Sequence, residues 1–549
     1  MVSIASLAPR GAPNSASTTV DLAQMTVSQI DALDLRSLQK ADVAALSAQK
    51  LAGLKTGTIA KFSSGQIGKF SADQVHALTA TQMAALSKPA LQSIGVEKFS
   101  ADQIRALGPT TANQFSATQI HGMSATQTQA LTANEINSLT ASLVAALNTA
   151  QLNASQVSAM SATTASRLSA AQINAMSGDD VHALDARTLT TAQLGGLTAG
   201  TAANFTTAQI KALSTAQTGK LSAAAAQTFL ASAATTLSGD QINALTAKQL
   251  AGQSLVVGAS GGLSFKLAWD STATAAGFRN AAVHAAARLS GQIANTVQVS
   301  VSVAYGRVGN QKISSSAVAM SMAAVGGFYS YADIRGALTR NAANSSLQAS
   351  IAARLPDADP THGGKFLASS AQARALGLTP KYSAPVDGYA GLSSALPMTY
   401  TGGAVAGKFD AVAAFEHEFT EVMGRVGSLG AQQGAGVYTA LDLFHYSRDG
   451  ASGSPYLDLA PAAPGAGRQS FFSLDGGATS LGFYPTATGK NGDFADFTGA
   501  SDPFGGGAAG GAPALSGADV AQMAVTGWNA TAPAIDLAAR AVAGAYHMV

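Results

Sequence analysis

The 549-residue chain contains no cysteine, which excludes disulfides, thiolate zinc sites and cysteine nucleophiles together. Charge is scarce too. Lys, Arg, Asp and Glu make up 11% of the residues and the net charge is +2, so no basic field is present to attract nucleic acid or an anionic membrane. No apolar run approaches the roughly 18 residues of a membrane-spanning helix. The first 17 residues hold one Arg and no sustained apolar core, which does not suit a Sec signal peptide. Residues 1–19 are expected to be disordered. Export, if it occurs, needs another route, and the 531–549 tail with Asp536-Leu-Ala-Ala suits a C-terminal signal of type I kind. The protein is therefore expected to be secreted or held at a cell surface.

What the chain does contain, over residues 20–250, is a repeat. Its unit is Leu/Phe/Met, Ser/Thr, Ala, any residue, Gln, Ile/Val, any residue, Ala, as in Phe70-Ser-Ala-Asp-Gln-Val-His-Ala. Large apolar residues recur every eight positions through Leu46, Leu54, Phe62, Phe70, Leu78 and Leu86, with five-residue steps reaching Leu91, Leu152 and Leu189. A fixed short period over this length marks a solenoid. Ser or Thr followed three residues later by Gln is a capping box, so each unit starts its own helix, as at Ser71 and Gln74. Eight is not a multiple of 3.6, and one continuous helix would let the apolar stripe drift around its surface. The expectation is an α-solenoid of short, re-capped helices. A β-solenoid is the weaker reading, since Ala and Gln favour helix. His76, His121 and His182 fall in a variable slot and are read as surface positions. The array shows no catalytic constellation; spacing, display, or contact with a cell surface or matrix is its expected role.

Residues 252–530 read as a globular α+β domain. Leu263 to Trp269 and Val297 to Tyr305 alternate as strands, with a long Ala-rich helix over 273–293 between them. Asp270-Ser-Thr reads as that helix's cap. Residues 317–353 read as helical in pieces, and Val386 to Leu392 as a short strand.

The chemistry concentrates in Phe415-Glu-His-Glu-Phe-Thr-Glu-Val-Met-Gly-Arg. On a helix, His417 and Glu421 share a face one turn apart, and Glu418 lies about 100° further round. That is the layout of a His-Glu-x-x-His zinc helix, in which two side chains hold the metal and the Glu is general base. Here a carboxylate takes the second ligand position, which zinc accepts. A catalytic zinc needs a third protein ligand. Position 427, where a longer motif would put one, is glycine. Asp442, 21 residues after Glu421, and His445, one turn further on, are the candidates. The first resembles the carboxylate placement of thermolysin-like enzymes; the second is commoner zinc chemistry. Tyr446 is a candidate oxyanion donor, and Arg425 is read as structural, pairing with a carboxylate behind the site. Asp475, Asp493, Asp496 and Asp502 lie among glycines and read as solvated turn acids, with calcium binding as the alternative.

Several segments in order resemble a group of bacterial secreted metalloproteases that carry His-Glu-x-x-Glu-Val-Met-Gly-Arg. They are Asp387-Gly-Tyr-Ala-Gly-Leu, the His417 motif, Ala440-Leu-Asp-Leu-Phe-His-Tyr-Ser, Phe471-Phe-Ser-Leu-Asp-Gly-Gly and Val525-Thr-Gly-Trp-Asn. The resemblance covers about residues 255–530. It implies a zincin-like fold, zinc-dependent hydrolysis of a protein or peptide substrate, and a strand before the metal helix that forms the substrate edge. The other reading is a surface or adhesion repeat protein whose metal site is vestigial.

Overall fold

The computed structural model describes residues 21–34, 42, 43, 45–246, 254–258, 261–400, 402, 403, 405–428, 436–450, 453–459, 468–484, 496, 497 and 515–530. The 1–19 segment, the 531–549 tail, Asp493 and Asp502 lie outside them. The chain divides into two compact units, Met1–Gln193 and Leu194–Val549. The division falls inside the octad array rather than at its end.

The first unit is a train of short helices, among them Ala72–His76, Ala80–Ala85 and Ala101–Arg105. Their starts are written in the repeat. Gln74 N donates to Ser71 Oγ at 3.2 Å, while Ser71 N donates back to Gln74 Oε1 at 2.8 Å. Helices of one turn cannot persist alone. Stacking supplies the rest: each packs on the third helix away in the chain, as 72–76 does on Ala48–Gly53. The octad residues Phe70, Leu78, Phe115 and Leu139 are buried to 2% exposure or less. His76, His121 and His182 are exposed, as their slot implies.

The capping glutamine has a second use that the repeat pattern does not announce. Gln103 Nε2 donates to the carbonyls of Val75 (2.6 Å) and Leu78 (2.9 Å), 28 and 25 residues back. Gln119 and Gln156 repeat the arrangement at the same two separations. The amide oxygen caps its own helix and the amide nitrogen closes the orphan carbonyls ending an earlier one. At Glu135 the polarity inverts: Oε2 caps Thr132 N at 2.7 Å, and Oε1 accepts from Gly108 N at 2.8 Å.

In the second unit the last octad helices, Ala223–Ala233 and Gly239–Thr246, pack on the α+β region. Strands β1 (Ser254–Val257) and β2 (Ser264–Trp269) pair antiparallel. Helix α1 (Ala276–Gln292) then crosses over to β3 (Gln298–Tyr305), parallel to β2. β4 (Ala319–Ala323) and β5 (Gly388–Leu392) complete a sheet of order β1-β2-β3-β5-β4, in which only β1 and β4 run antiparallel to their neighbours. Val299, Val301 and Val303 of β3 are fully buried on one face, and α1 and α2 (Ala411–Val422) pack on the sheet. Phe419 of α2 stacks on Phe265 of β2 at 5.3 Å. The shorter helix α3 (Gly517–Val525) leads to Trp528, wholly buried, whose Nε1 donates to Met423 O at 3.0 Å.

Three expectations are corrected. The 317–329 stretch holds two strands and no helix: β4 and Val325–Tyr329 both pair in sheets. Ala and Met favour helix by well under 1 kcal/mol per residue, and sheet pairing outweighs that. The substrate-edge strand expected at 386–392 is interior, between β3 and β4, and the edge belongs to β4. Asp270 caps no helix. It accepts from Thr272 N and Oγ1, and α1 begins only at Ala276.

Candidate metal centre

Helix α2 begins where Asp410 Oδ1 accepts from Val412 N at 2.9 Å, an acidic cap on an Ala-rich start. It ends at Val422, and the chain turns away at Gly424, whose φ of +106° favours glycine and whose added Cβ would lie 2.6 Å from Gln372 Oε1. That turn sends Arg425 back beneath the helix, where Nε donates to Thr420 Oγ1 at 3.0 Å.

His417, Glu418 and Glu421 converge as the spacing predicts. One ligand atom from each lies within 4.8 Å of the others, making a group that could hold a metal ion. His417 Nε2 stands 3.1 Å from Glu421 Oε1. From the edge strand, Ser321 Oγ donates to Glu421 Oε2 at 2.6 Å. Ser321 faces α2 because its strand register places it opposite Ala390, while Met322 and Tyr389 pair on the other face.

A second carboxylate meets the imidazole. Asp496 Oδ1 lies 3.5 Å from His417 Nε2 and accepts from Arg425 NH1 at 3.0 Å. Arg425 is 0% exposed, and its NH2 comes within 3.6 Å of Glu421 Oε1. Asp496 is thus no solvated turn acid but a 5%-exposed member of this network. Arg425 pairs with a carboxylate, as expected, but with one that also meets the imidazole and does not lie behind the site.

The electrostatics follow from burial and proximity. Burial works to lower the His417 imidazole's pKa, but the carboxylates of Asp496 and Glu421 overcome it and hold the ring up at about 10. Burial would raise Glu421; the neighbouring His417 and Arg425 bring it down to about 2. Glu418 goes the other way. Burial and the charge of Glu421 beside it push its carboxyl well above the usual range.

The remaining candidates are engaged elsewhere. Asp442 accepts from Thr439 N in its own turn and from Ser428 Oγ, 14 residues back, both at 2.7 Å. Burial raises its carboxyl to about 6. His445 meets Asp458 O through Nδ1 at 3.2 Å and stacks on Tyr484. Neither belongs to the His417 group. The half-buried ring of Tyr446 stacks on Phe471 of the neighbouring strand. Asp475 accepts from Ser473 Oγ and Thr479 N, within its own loop.

Sequence reasoning missed Ser321 and the place of Asp496. Each reaches the group from 100 or 71 residues away, and neither carries a local motif.

Compared with known proteins, the chain matches no protein-family model and no curated protein.

Proposed function

We propose that residues 252–530 form a zincin-like metallopeptidase domain, in which His417 and Glu421 hold a zinc ion and Glu418 is the general base. One observation carries the reading: an imidazole and two carboxylates converge on one buried helix, facing an edge strand. The donor set fits a divalent cation, since zinc takes imidazole nitrogen and carboxylate oxygen at similar distances. Zinc bound there supplies a Lewis acid for a peptide carbonyl and lowers the pKa of a water. Glu418, with its raised affinity for a proton, takes one at its carboxylate and returns it to the departing amine. The outer edge of β4 can pair with an extended peptide and align it past α2. The substrate class is protein or peptide. On the same reading the protein is secreted or held at a cell surface, and the repeats serve spacing or contact with a surface or matrix.

A second reading has its own support. His417, Arg425, Glu421 and Asp496 already compensate one another's charge, as a purely structural network would. The site would then be vestigial and the chain a surface repeat protein. Elemental analysis of the purified full chain, with casein hydrolysis measured with and without a chelator, separates the two. The peptidase reading expects one equivalent of zinc and chelator-sensitive hydrolysis. Absence of any stoichiometric metal would sink it.

A further inference from the structure

We propose a second ligand site, apart from the His417 group: a cavity on the far face of the five-stranded sheet that takes an α-amino acid with an apolar side chain. It stands independently of the metal reading. Alternation along β3 buries Val301 and Val303 on the face that packs the helices and turns Ser302 to the other face. There the register sets Ser302 opposite Tyr389 and Tyr389 opposite Met322, one row across β3, β5 and β4. That row lines a cavity of about 560 Å³ together with Asp270, Arg307 and Asn310. Small-molecule sites commonly measure roughly 300–1,000 Å³. The two charged residues follow the carboxyl ends of β2 and β3, the end at which open α/β sheets take ligands.

The chain brings two opposite charges to this cavity without joining them. Asp270 Oδ1 accepts from Thr272 N and Oγ1 at 2.9 and 2.8 Å, which leaves Oδ2 over. Burial works to raise this carboxyl, but the Thr272 bonds and then the Arg307 charge hold it below its ordinary range. Arg307 comes from a hairpin over 307–312, which Gly306 starts with a φ of +75°. The hairpin folds back on the sheet because Gly391 is bare where a Cβ would strike the Arg307 carbonyl. Arg307 Nε donates to Gly309 O at 2.7 Å and NH2 to Asn310 Oδ1 at 3.1 Å. Its own turn thus holds the guanidinium, with NH1 unused, and no ion pair ties it to Asp270. Two charges on an open surface would mean little. Here they share a cavity with the hydroxyls of Ser302 and Tyr389, neither hydrogen-bonded among the described residues. The complement is a zwitterion, with its carboxylate on Arg307 NH1 and its ammonium on Asp270 Oδ2. Met322, 42% exposed, offers the ligand's side chain an adaptable apolar surface.

Isothermal titration calorimetry of the full chain, with zinc and after chelation, tests this with L-leucine, leucinamide and N-acetylleucine. Leucine should bind saturably, one to one, under both conditions. Each blocked analogue lacks one charged contact and should bind at least about 10-fold more weakly. Asp270→Asn keeps the oxygen that Thr272 uses and should weaken leucine by a similar factor. Met322→Ser should narrow the preference for leucine over glycine. Lack of saturable binding by leucine overturns the proposal, as do equal affinities for the blocked analogues or wild-type affinity in Asp270→Asn. Binding that vanishes on chelation places the ligand at the metal and also overturns it. The analogue comparison uses the unaltered chain, so its outcome stands even where a variant misfolds.

Discussion

Ser321 Oγ, on the sheet's edge strand, donates to Glu421 Oε2 at 2.6 Å and so fixes which oxygen Glu421 turns toward His417. Outer partners of this kind typically govern metal affinity by about 10- to 100-fold. Ser321→Ala should weaken zinc binding by that factor, and Ser321→Thr should restore most of it. Chelator competition reads both; equal affinities across the three proteins would remove Ser321 from the site.

Glu418→Gln keeps the size of the side chain and takes away its basicity. Zinc content should stay at the wild-type level while peptide hydrolysis falls by about 10²–10⁴-fold, the usual worth of a positioned general base. Hydrolysis that survives the change would mean that another group moves the proton.

The turn at Gly424 is set by its backbone, with φ at +106° and Gln372 packed where a Cβ would go. Gly424→Ala should cost about 3 kcal/mol through strain and clash, and should loosen Arg425 beneath the helix. Thermal unfolding gives the first effect and a drop in metal affinity gives the second. An alanine variant of unchanged stability would contradict the geometry.

His284, on α1, should make stability depend on pH. Burial, then the Arg288 charge, lower its pKa to about 4; Asp410 and a hydrogen bond with the Gly239 backbone oppose this only in part. The unfolded chain therefore takes up a proton between pH 6.5 and 4 that the folded chain refuses. Stability from this group is whole above pH 6.5 and falls as pH drops, by up to about 3 kcal/mol below pH 4. Replacing His284 with Asn should flatten that part of the pH profile in chemical denaturation. A wild-type profile equally steep in the variant would show that other groups cause it.

Gln103→Glu tests the array. The capping oxygen survives, but the two donors to Val75 and Leu78 do not, and a carboxylate then faces two carbonyls. The helical signal should melt earlier, with a loss of about 2–4 kcal/mol. A variant as stable as the parent would mean the amide nitrogen contributes nothing.

Local rules carried much of this fold. The capping boxes and octad anchors located the short helices, strict alternation located β2 and β3, and the i, i+4 spacing put His417 and Glu421 together. What stayed hidden depends on partners far along the chain. β4 reads as helix because Ala319 to Ala323 carries no β-branched residue, and only pairing with β5 makes it a strand. Asp496 looks like any acid near glycine until the chain brings it under Arg425. Asp442 shows the reverse error. It has ligand-like spacing, yet its oxygens serve Ser428 and Thr439. Spacing selects residues that share a face; it does not say which already have an engagement at home.

The glutamine amides have an evolutionary corollary. Each finds its acceptors about 28 residues earlier and asks nothing of the chain beyond. In-frame duplication or loss of one such stretch therefore rejoins equivalent donors to equivalent carbonyls. The number of turns can drift between lineages with no redesign of the fold, so reach is a trait that selection can tune separately from chemistry.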